Sequence, residues 1–235
     1  ERVPVVDRDV KRLELAGEHR HHRGVDAVEA HERAMLGMVQ PLAKNHRRLW
    51  RRLAEEGEVT TLSTAHGLDA DTALAAFLHL EAAGWKGARG TAFAKLPQGE
   101  DFVRGAIGGL IRQGRARIDL IALSGHPIAA GAAVMAPSRA WYWKTAYDEA
   151  FGRFSPGVLM SHALGTALVE QGLSVDSCAI PGHPMIDRLW PERLAIAHHF
   201  IAVESGAGGA DYRAALALKR TYLRGRAAAK RLLRR

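Results

Sequence analysis

The chain has 235 residues, a single cysteine, and 33 Lys and Arg against 25 Asp and Glu, for a formal charge of +8. That length supports one generous domain or two small ones, and a 47% hydrophobic content excludes a chain that is disordered throughout. The lone Cys178 excludes an internal disulfide and a cysteine-based metal centre, and it fits a reducing compartment.

Residues 1–40 are rich in charge and His, with weak periodicity. His19, His21 and His22 read either as metal ligands or as part of a solvated segment. No signal peptide stands out, and the missing initiating Met suggests a piece of a longer protein. Pro41 precedes a basic helix from Leu42 to Glu56, and Glu58 to Ser63 reads as a β-branched strand. Asp69 or Asp71 can cap the next helix. There Leu74, Phe77, Leu78 and Glu81 follow helical spacing, and Trp85 extends the row. Glu81 therefore sits on an apolar stripe. It is either an edge carboxylate reaching water or an Arg, or a partly desolvated one with a raised pKa. Gly84 suits a left-handed cap, and a further helix runs from about Glu100 to Gln113. Its glycines, Gly105, Gly108 and Gly109, weaken it or permit close packing.

The longest apolar run, Leu120 to Pro137, is broken by Gly125-His-Pro127, so it reads as two strands and a turn rather than a membrane span. Strands are expected over Arg117 to Leu123, Ile128 to Met135 and Ala140 to Tyr147, with short turns that make neighbours antiparallel. A helix from Gly157 to Gln171 follows, then a strand from Val175 to Ile180 that buries Cys178. A short helical turn reaches Trp190, a strand covers Leu194 to Val203, and Gly206 to Gly209 links to a final helix capped by Asp211. This order predicts an α+β domain rather than a doubly wound sheet. The stretch Phe154-Ser-Pro-Gly-Val-Leu159 opens a helix straight after a strand. Helix N-termini leave backbone N–H groups unpaired and carry a positive dipole end, so Ser155, Gly157, Val158 and Leu159 are candidates to seat a phosphate-bearing cofactor.

Four segments in order resemble the GNAT acyltransferase superfamily, in particular the cellulose-biosynthesis-type acetyltransferase branch related to the Fem peptidyltransferases. They are Phe77-Leu-His-Leu-Glu-Ala-Ala-Gly-Trp-Lys-Gly87, Trp143-Lys-Thr-Ala-Tyr-Asp148, Ser155-Pro-Gly157 and His183-Pro-Met-Ile-Asp-Arg-Leu-Trp190. The resemblance covers roughly residues 42–205. It implies a mixed, mostly antiparallel, splayed sheet flanked by helices, with acyl-CoA in a gap between the fourth and fifth strands. Its pyrophosphate would meet the helix after Ala140 to Tyr147. The usual Arg/Gln-x-x-Gly-x-Gly/Ala loop is replaced here by Arg153-Phe-Ser-Pro-Gly157. Some Fem-like relatives use aminoacyl-tRNA as donor instead of acyl-CoA.

Acyl transfer needs a held donor, a proton acceptor and donors to the developing oxyanion. Strand alternation places Tyr142, Lys144, Ala146 and Asp148 on one face. Lys144 and Asp148 are then either a structural pair, or Asp148 takes the acceptor's proton while Lys144 positions a carbonyl or phosphate. His183 is an alternative base, with Asp176 and Asp187 as orienting groups, or else a turn histidine bonded to backbone. Trp85 and Trp190 wall an acceptor pocket or simply pack; Lys86 contacts a phosphate or caps a helix. No metal set with strong spacing and no nucleophile elbow is present.

Nine basic residues and no acidic one lie between Tyr212 and Arg235, so the remainder is nearly neutral. This tail reads as a basic amphipathic helix for an anionic membrane, nucleic acid or an acidic protein, or as a solvated face packed on the domain. The expected organisation is a charged segment over 1–40, an acyltransferase domain over 41–205, and linker plus basic helix over 206–235. The expected activity is metal-free transfer of an acyl group, acetyl first, from acyl-CoA to a hydroxyl or amine of a carbohydrate or envelope-precursor acceptor. Alternatives are an aminoacyl-tRNA-dependent transferase, or a noncatalytic module that binds anionic polymer or membrane. A cytoplasmic enzyme is expected, at most peripheral to the inner face of the membrane, with a homo-oligomer left open.

Overall fold

A computed structural model of the chain describes residues 25–37, 44–180, 182–201 and 210–232. The His19, His21 and His22 cluster and the Gly206–Gly209 linker lie outside these residues. The chain divides into a larger unit, Arg33–Leu194, and a smaller one formed by Glu1–Glu32 with Ala195–Arg235.

The elements in order are β1 (Val25–Leu36), α1 (Lys44–Ala54), β2 (Val59–Ser63), α2 (Ala70–Ala83), α3 (Trp85–Ala88), α4 (Gly99–Arg112), β3 (Ala116–Leu123), β4 (His126–Ala136), β5 (Arg139–Tyr147), α5 (Pro156–Glu170), β6 (Ser174–Asp176), α6 (Ile186–Leu189), β7 (Glu192–Ile201) and α7 (Ala210–Leu232). Short 3₁₀ segments at Thr64–His66, Phe93–Lys95 and Glu149–Phe154 join them. This is the mixed α+β architecture expected from the sequence. The sheet has seven strands in the order β2-β3-β4-β5-β6-β1-β7. The β2–β3, β3–β4, β4–β5 and β6–β1 ladders are antiparallel, and β5–β6 is parallel.

Burial explains the layering in the larger unit. Every residue of β3 is buried, because helices cover both faces of the sheet there. On one face α1 and α5 contribute Leu49, Leu53, Leu159, Met160, Leu164 and Leu168 to a core with Tyr142 and Trp190. On the other, α2 and α4 contribute Leu74, Phe77, Leu78, Val103 and Ile107. Asp69 caps α2 by accepting the Thr72 amide at 2.8 Å. Gly108 lets α4 approach α2: a Cβ there would stand 3.1 Å from Leu74 Cδ1. In the smaller unit α7 is exposed over most of its length, with Leu216 buried and Leu218 and Tyr222 in solvent. No helix among the described residues is long and apolar enough to cross a membrane.

Three sequence expectations are corrected. The strand expected over Val175 to Ile180 ends at Asp176, and Cys178 lies on an exposed turn at φ 51°. Gly84 is extended at φ −84°, ψ −172°, because the chain enters a second helical turn at once instead of reversing through a left-handed cap. The alternation of β5 also fails. Its register against β4 slips between Tyr142 and Lys144, so Trp143 is an extra, bulged residue. Tyr142 therefore packs with α5, whereas Trp143, Lys144 and Ala146 lie on the α2 side.

Candidate active site

β5 runs nine residues, but its parallel pairing with β6 is confined to Arg139↔Ser174, Ala140↔Val175 and Trp141↔Asp176. Beyond Trp141 no described strand continues the ladder on that edge. Backbone groups of β5 on the C-terminal side of the bulge are thus left for other partners.

One such partner is Lys86. The α2–α3 junction brings its Nζ to 2.9 Å from the Thr145 carbonyl oxygen. The same ammonium lies 3.8 Å from Glu81 Oε1, and Lys144 Nζ donates to that oxygen too. Glu81 Oε2 accepts the Phe93 amide at 2.9 Å. The Glu81 side chain is 0% exposed. A carboxylate so placed is stable only because two ammonium groups and an amide replace its water. Lys144 Nζ also sits 4.0 Å from the centroid of the Phe93 ring, a cation–π contact. Burial holds the Lys86 amine below its ordinary pKa; the Lys144 charge adds to that effect and Glu81 opposes it. A cavity of about 20 Å³ opens here, bounded by Glu81, Trp85, Lys86, Thr145 and Tyr147. Glu149, exposed just beyond β5, accepts the Trp85 amide through Oε1 at 2.7 Å.

A second buried chain ties β5 to α5. Ser161 Oγ donates to the Gly157 carbonyl at 2.8 Å, so its one proton is committed. Tyr142 must then donate to Ser161 at 3.1 Å, and Thr145 donates to Tyr142 at 2.7 Å. Burial pushes the Tyr142 phenol up to about 12, which keeps it a neutral donor.

The first turn of α5 offers less to an anion than the sequence promised. Ser155 is left-handed at φ 50°, and its carbonyl accepts the amides of both Val158 (2.9 Å) and Leu159 (3.2 Å). Pro156 has no N–H. Among the described residues the Gly157 amide is therefore the one first-turn donor left without a partner, and Gly157 is buried with Tyr147 against it. The expectation that Ser155, Gly157, Val158 and Leu159 jointly present free amides is reduced to Gly157 and the helix dipole.

The structure thus gathers Glu81, Trp85, Lys86 and Lys144 into one cluster. Asp148 follows at the end of β5, half-buried, its Oδ1 accepting the Ala150 amide at 2.9 Å as the cap of the next turn. The segment after β6 does not share in this cluster's bonds. His183 Nδ1 accepts the Ile186 amide at 3.3 Å, a backbone-bonded turn histidine. The oxygens of Asp176 serve Arg33 (2.9 Å) and the Cys178 amide (2.9 Å), so Asp176 does not orient His183. Asp187 lies half-buried on α6, and its amide bonds the His183 carbonyl. Trp190 is 1% exposed and packs edge-on against Tyr142 at 5.4 Å, so its expected role as a pocket wall is corrected to core packing. Trp85 remains 47% exposed. Sequence reasoning missed Phe93, Thr145, Ser161 and Glu149. The visible clue was Glu81 on an apolar stripe, which announces that some donors must face it. Among the described residues no group of three or more His, Cys, Asp or Glu is placed to hold a metal.

No curated protein matches the sequence significantly. Solved structures share the fold. FemX aligns at 11% identity and TM-score 0.53, over 76% of this chain and 66% of its own. A conserved protein of unknown function from Bacteroides thetaiotaomicron aligns at 11% identity and TM-score 0.51, over 83% of this chain and 66% of its own. The C-terminal domain of a candidate lysylphosphatidylglycerol synthetase from Agrobacterium fabrum aligns at 15% identity and TM-score 0.51, over 85% of this chain and 66% of its own. The chain therefore spans just under two thirds of the length of each. Residues 42–179, more than half of the chain, match the family described as Acetyltransferase (GNAT) domain. With the splayed β5 edge and the helix that follows it, this match establishes that the chain belongs to the GNAT acetyltransferase domain family.

Proposed function

We propose that the chain is an acyltransferase that moves an acetyl group from acetyl-CoA to a hydroxyl or amine of a polysaccharide- or envelope-related acceptor. The observation that carries this reading is the unpaired edge of β5 beside the buried Lys86–Glu81–Lys144 cluster. A thioester laid along that edge would find backbone donors for its carbonyl oxygen, which gains charge as the acceptor attacks. The acceptor's lone pair forms the new bond to the carbonyl carbon, the C–S bond breaks, and the sulfur leaves as the thiol once it has taken a proton. In this scheme Asp148 takes the acceptor's proton. Lys86, with its lowered proton affinity, gives one to the departing sulfur. Lys144, fixed by Glu81, positions the carbonyl. The cofactor's diphosphate meets the Gly157 end of α5, where the dipole favours negative charge. His183 and Asp187 hold the turn before α6, and Trp85 lines the acceptor's approach. The acetylating unit is residues 41–205. The basic helix would serve as an attachment to an anionic membrane surface or acidic protein on the cytoplasmic side.

Calorimetry tests this. Acetyl-CoA binding that disappears in Gly157→Glu, with turnover but not affinity lost in Asp148→Asn, supports the scheme. Full turnover in Asp148→Asn removes that residue from it. A second reading, in which an aminoacyl group arrives on tRNA, draws on the shared fold of FemX and of the Agrobacterium fabrum domain. It predicts competition by charged tRNA and none by CoA.

A further inference from the structure

Glu81 faces two ammonium groups with a single negative charge. Lys144 Nζ donates directly to Glu81 Oε1, whereas Lys86 Nζ stands 3.8 Å from the same oxygen. The direct hydrogen bond pairs Glu81 with Lys144, so Lys86 is the cation in excess. Among the described residues Lys86 has no ion pair with another carboxylate. The other titratable and charged groups nearby do not alter that balance. Tyr147 of β5 borders the same cavity, Arg89 lies over the Trp85 ring at 5.1 Å, and the exposed Glu149 holds the Trp85 amide.

Burial and the Lys144 charge both favour loss of the Lys86 proton. The neutral amine has two N–H groups and a lone pair. One N–H stays on the Thr145 carbonyl at 2.9 Å, which holds the nitrogen against β5 beyond the end of its pairing with β6. The Lys86 side chain is 20% exposed, so a small reactant can reach it. Lys144 lacks this freedom, because Glu81 holds its proton and the Phe93 ring lies 4.0 Å from its Nζ.

The same strand edge is where the proposed function lays the thioester. Resting on that reading, we infer that Lys86 is a self-acylation site, which takes the acetyl group of bound acetyl-CoA into a stable amide and closes the edge to further turnover. The Nζ lone pair forms the C–N bond to the carbonyl carbon, the C–S bond breaks, and one Nζ proton passes to the departing sulfur. The products are the CoA thiol and acetylated Lys86. The protonated amine serves turnover and the neutral amine ends it. The amide keeps one N–H for Thr145, but it has lost its charge and the proton a leaving sulfur needs.

The test is peptide mass spectrometry of the full chain incubated with acetyl-CoA at several pH values, with the exposed Lys44 and Lys95 as references. Lys86 should be acetylated about tenfold or more faster than either, and its rate should reach half its maximum below pH 10.5, the ordinary lysine value. Lys144→Met leaves Glu81 to Lys86 alone, so that midpoint should move to higher pH; Lys144→Gln is the second variant should the first not fold. A lysine that is merely accessible would not show this movement. Calorimetry with acetyl-CoA on the same protein separates the two readings. Acetyl-CoA that binds while Lys86 reacts no faster than Lys44 and Lys95, or a midpoint unmoved by the Lys144 variants, overturns self-acylation and leaves the transfer reading standing. Absence of acetyl-CoA binding overturns both.

Discussion

Glu81→Gln isolates the buried charge that organises the candidate active site. Gln keeps the shape and can still accept the Phe93 amide, but it removes the negative charge between Lys86 and Lys144. Breaking a fully buried pair costs about 3–5 kcal/mol. Here the two lysine side chains are 20% and 24% exposed and can turn partly toward water. A loss below that range, about 2–3 kcal/mol, is therefore expected. For a chain of this size that is about 5–10 °C in Tm. The assay is urea unfolding of both proteins, followed by fluorescence, with the larger unit's transition compared. Replacing the pair together, Glu81→Leu with Lys144→Met, should recover part of the loss, because the Lys144 ammonium is then no longer left without its carboxylate and only Lys86 is. A Glu81→Gln protein within about 0.5 kcal/mol of the parent would refute the reasoning, since it would mean that the carboxylate does not neutralise the lysines.

Lys86 predicts a pH dependence. Its folded pKa lies below the ordinary 10.5, so between those two values the unfolded chain binds more protons than the folded one. Stability should therefore rise with pH across that window and be flat below it; Lys86→Met should remove this rise, as read from urea midpoints at several alkaline pH values. Gly157→Ala places a Cβ 2.9 Å from Tyr147 Cδ1, and forcing the ring aside should cost about 1–2 kcal/mol in denaturant unfolding and weaken acetyl-CoA binding. Trp190→Ala empties a core site and should cost about 3–5 kcal/mol. If enough folds to assay, its KM for acceptor should match the parent's; a selective rise in KM would return Trp190 to the acceptor pocket.

Elements whose physics is local were legible in the sequence. The α2 stripe of Leu74, Phe77, Leu78 and Glu81 follows helical spacing, and Asp69 caps it as its position suggested. The turn at Gly125 and the antiparallel order of β3, β4 and β5 follow from short connections. The site was legible only where a residue violated its own pattern. Glu81 is polar on an apolar row, and burial makes that exception expensive enough to demand partners. The bulge at Trp143 was not legible, because a slip of one residue is decided by packing on both faces of the sheet, against Phe77 on one side and Trp190 on the other. It reversed the facing of Tyr142 relative to Lys144. The state of the α5 amides was equally hidden: Ser155 adopts a left-handed conformation that a non-glycine residue rarely signals, and that turn spends its carbonyl on Val158 and Leu159. Phe93, Thr145 and Ser161 matter through contacts distant in sequence, which no local window contains.

Hydrogen–deuterium exchange over Trp143–Tyr147, with and without acetyl-CoA, tests the acyl-transfer reading most directly. Saturating acetyl-CoA should slow exchange in that segment and around Gly157, while Ala116–Leu123 in the centre of the sheet stays unchanged. Acetyl-CoA that binds yet leaves the β5 segment exchanging at its free rate would contradict a thioester site on that strand edge.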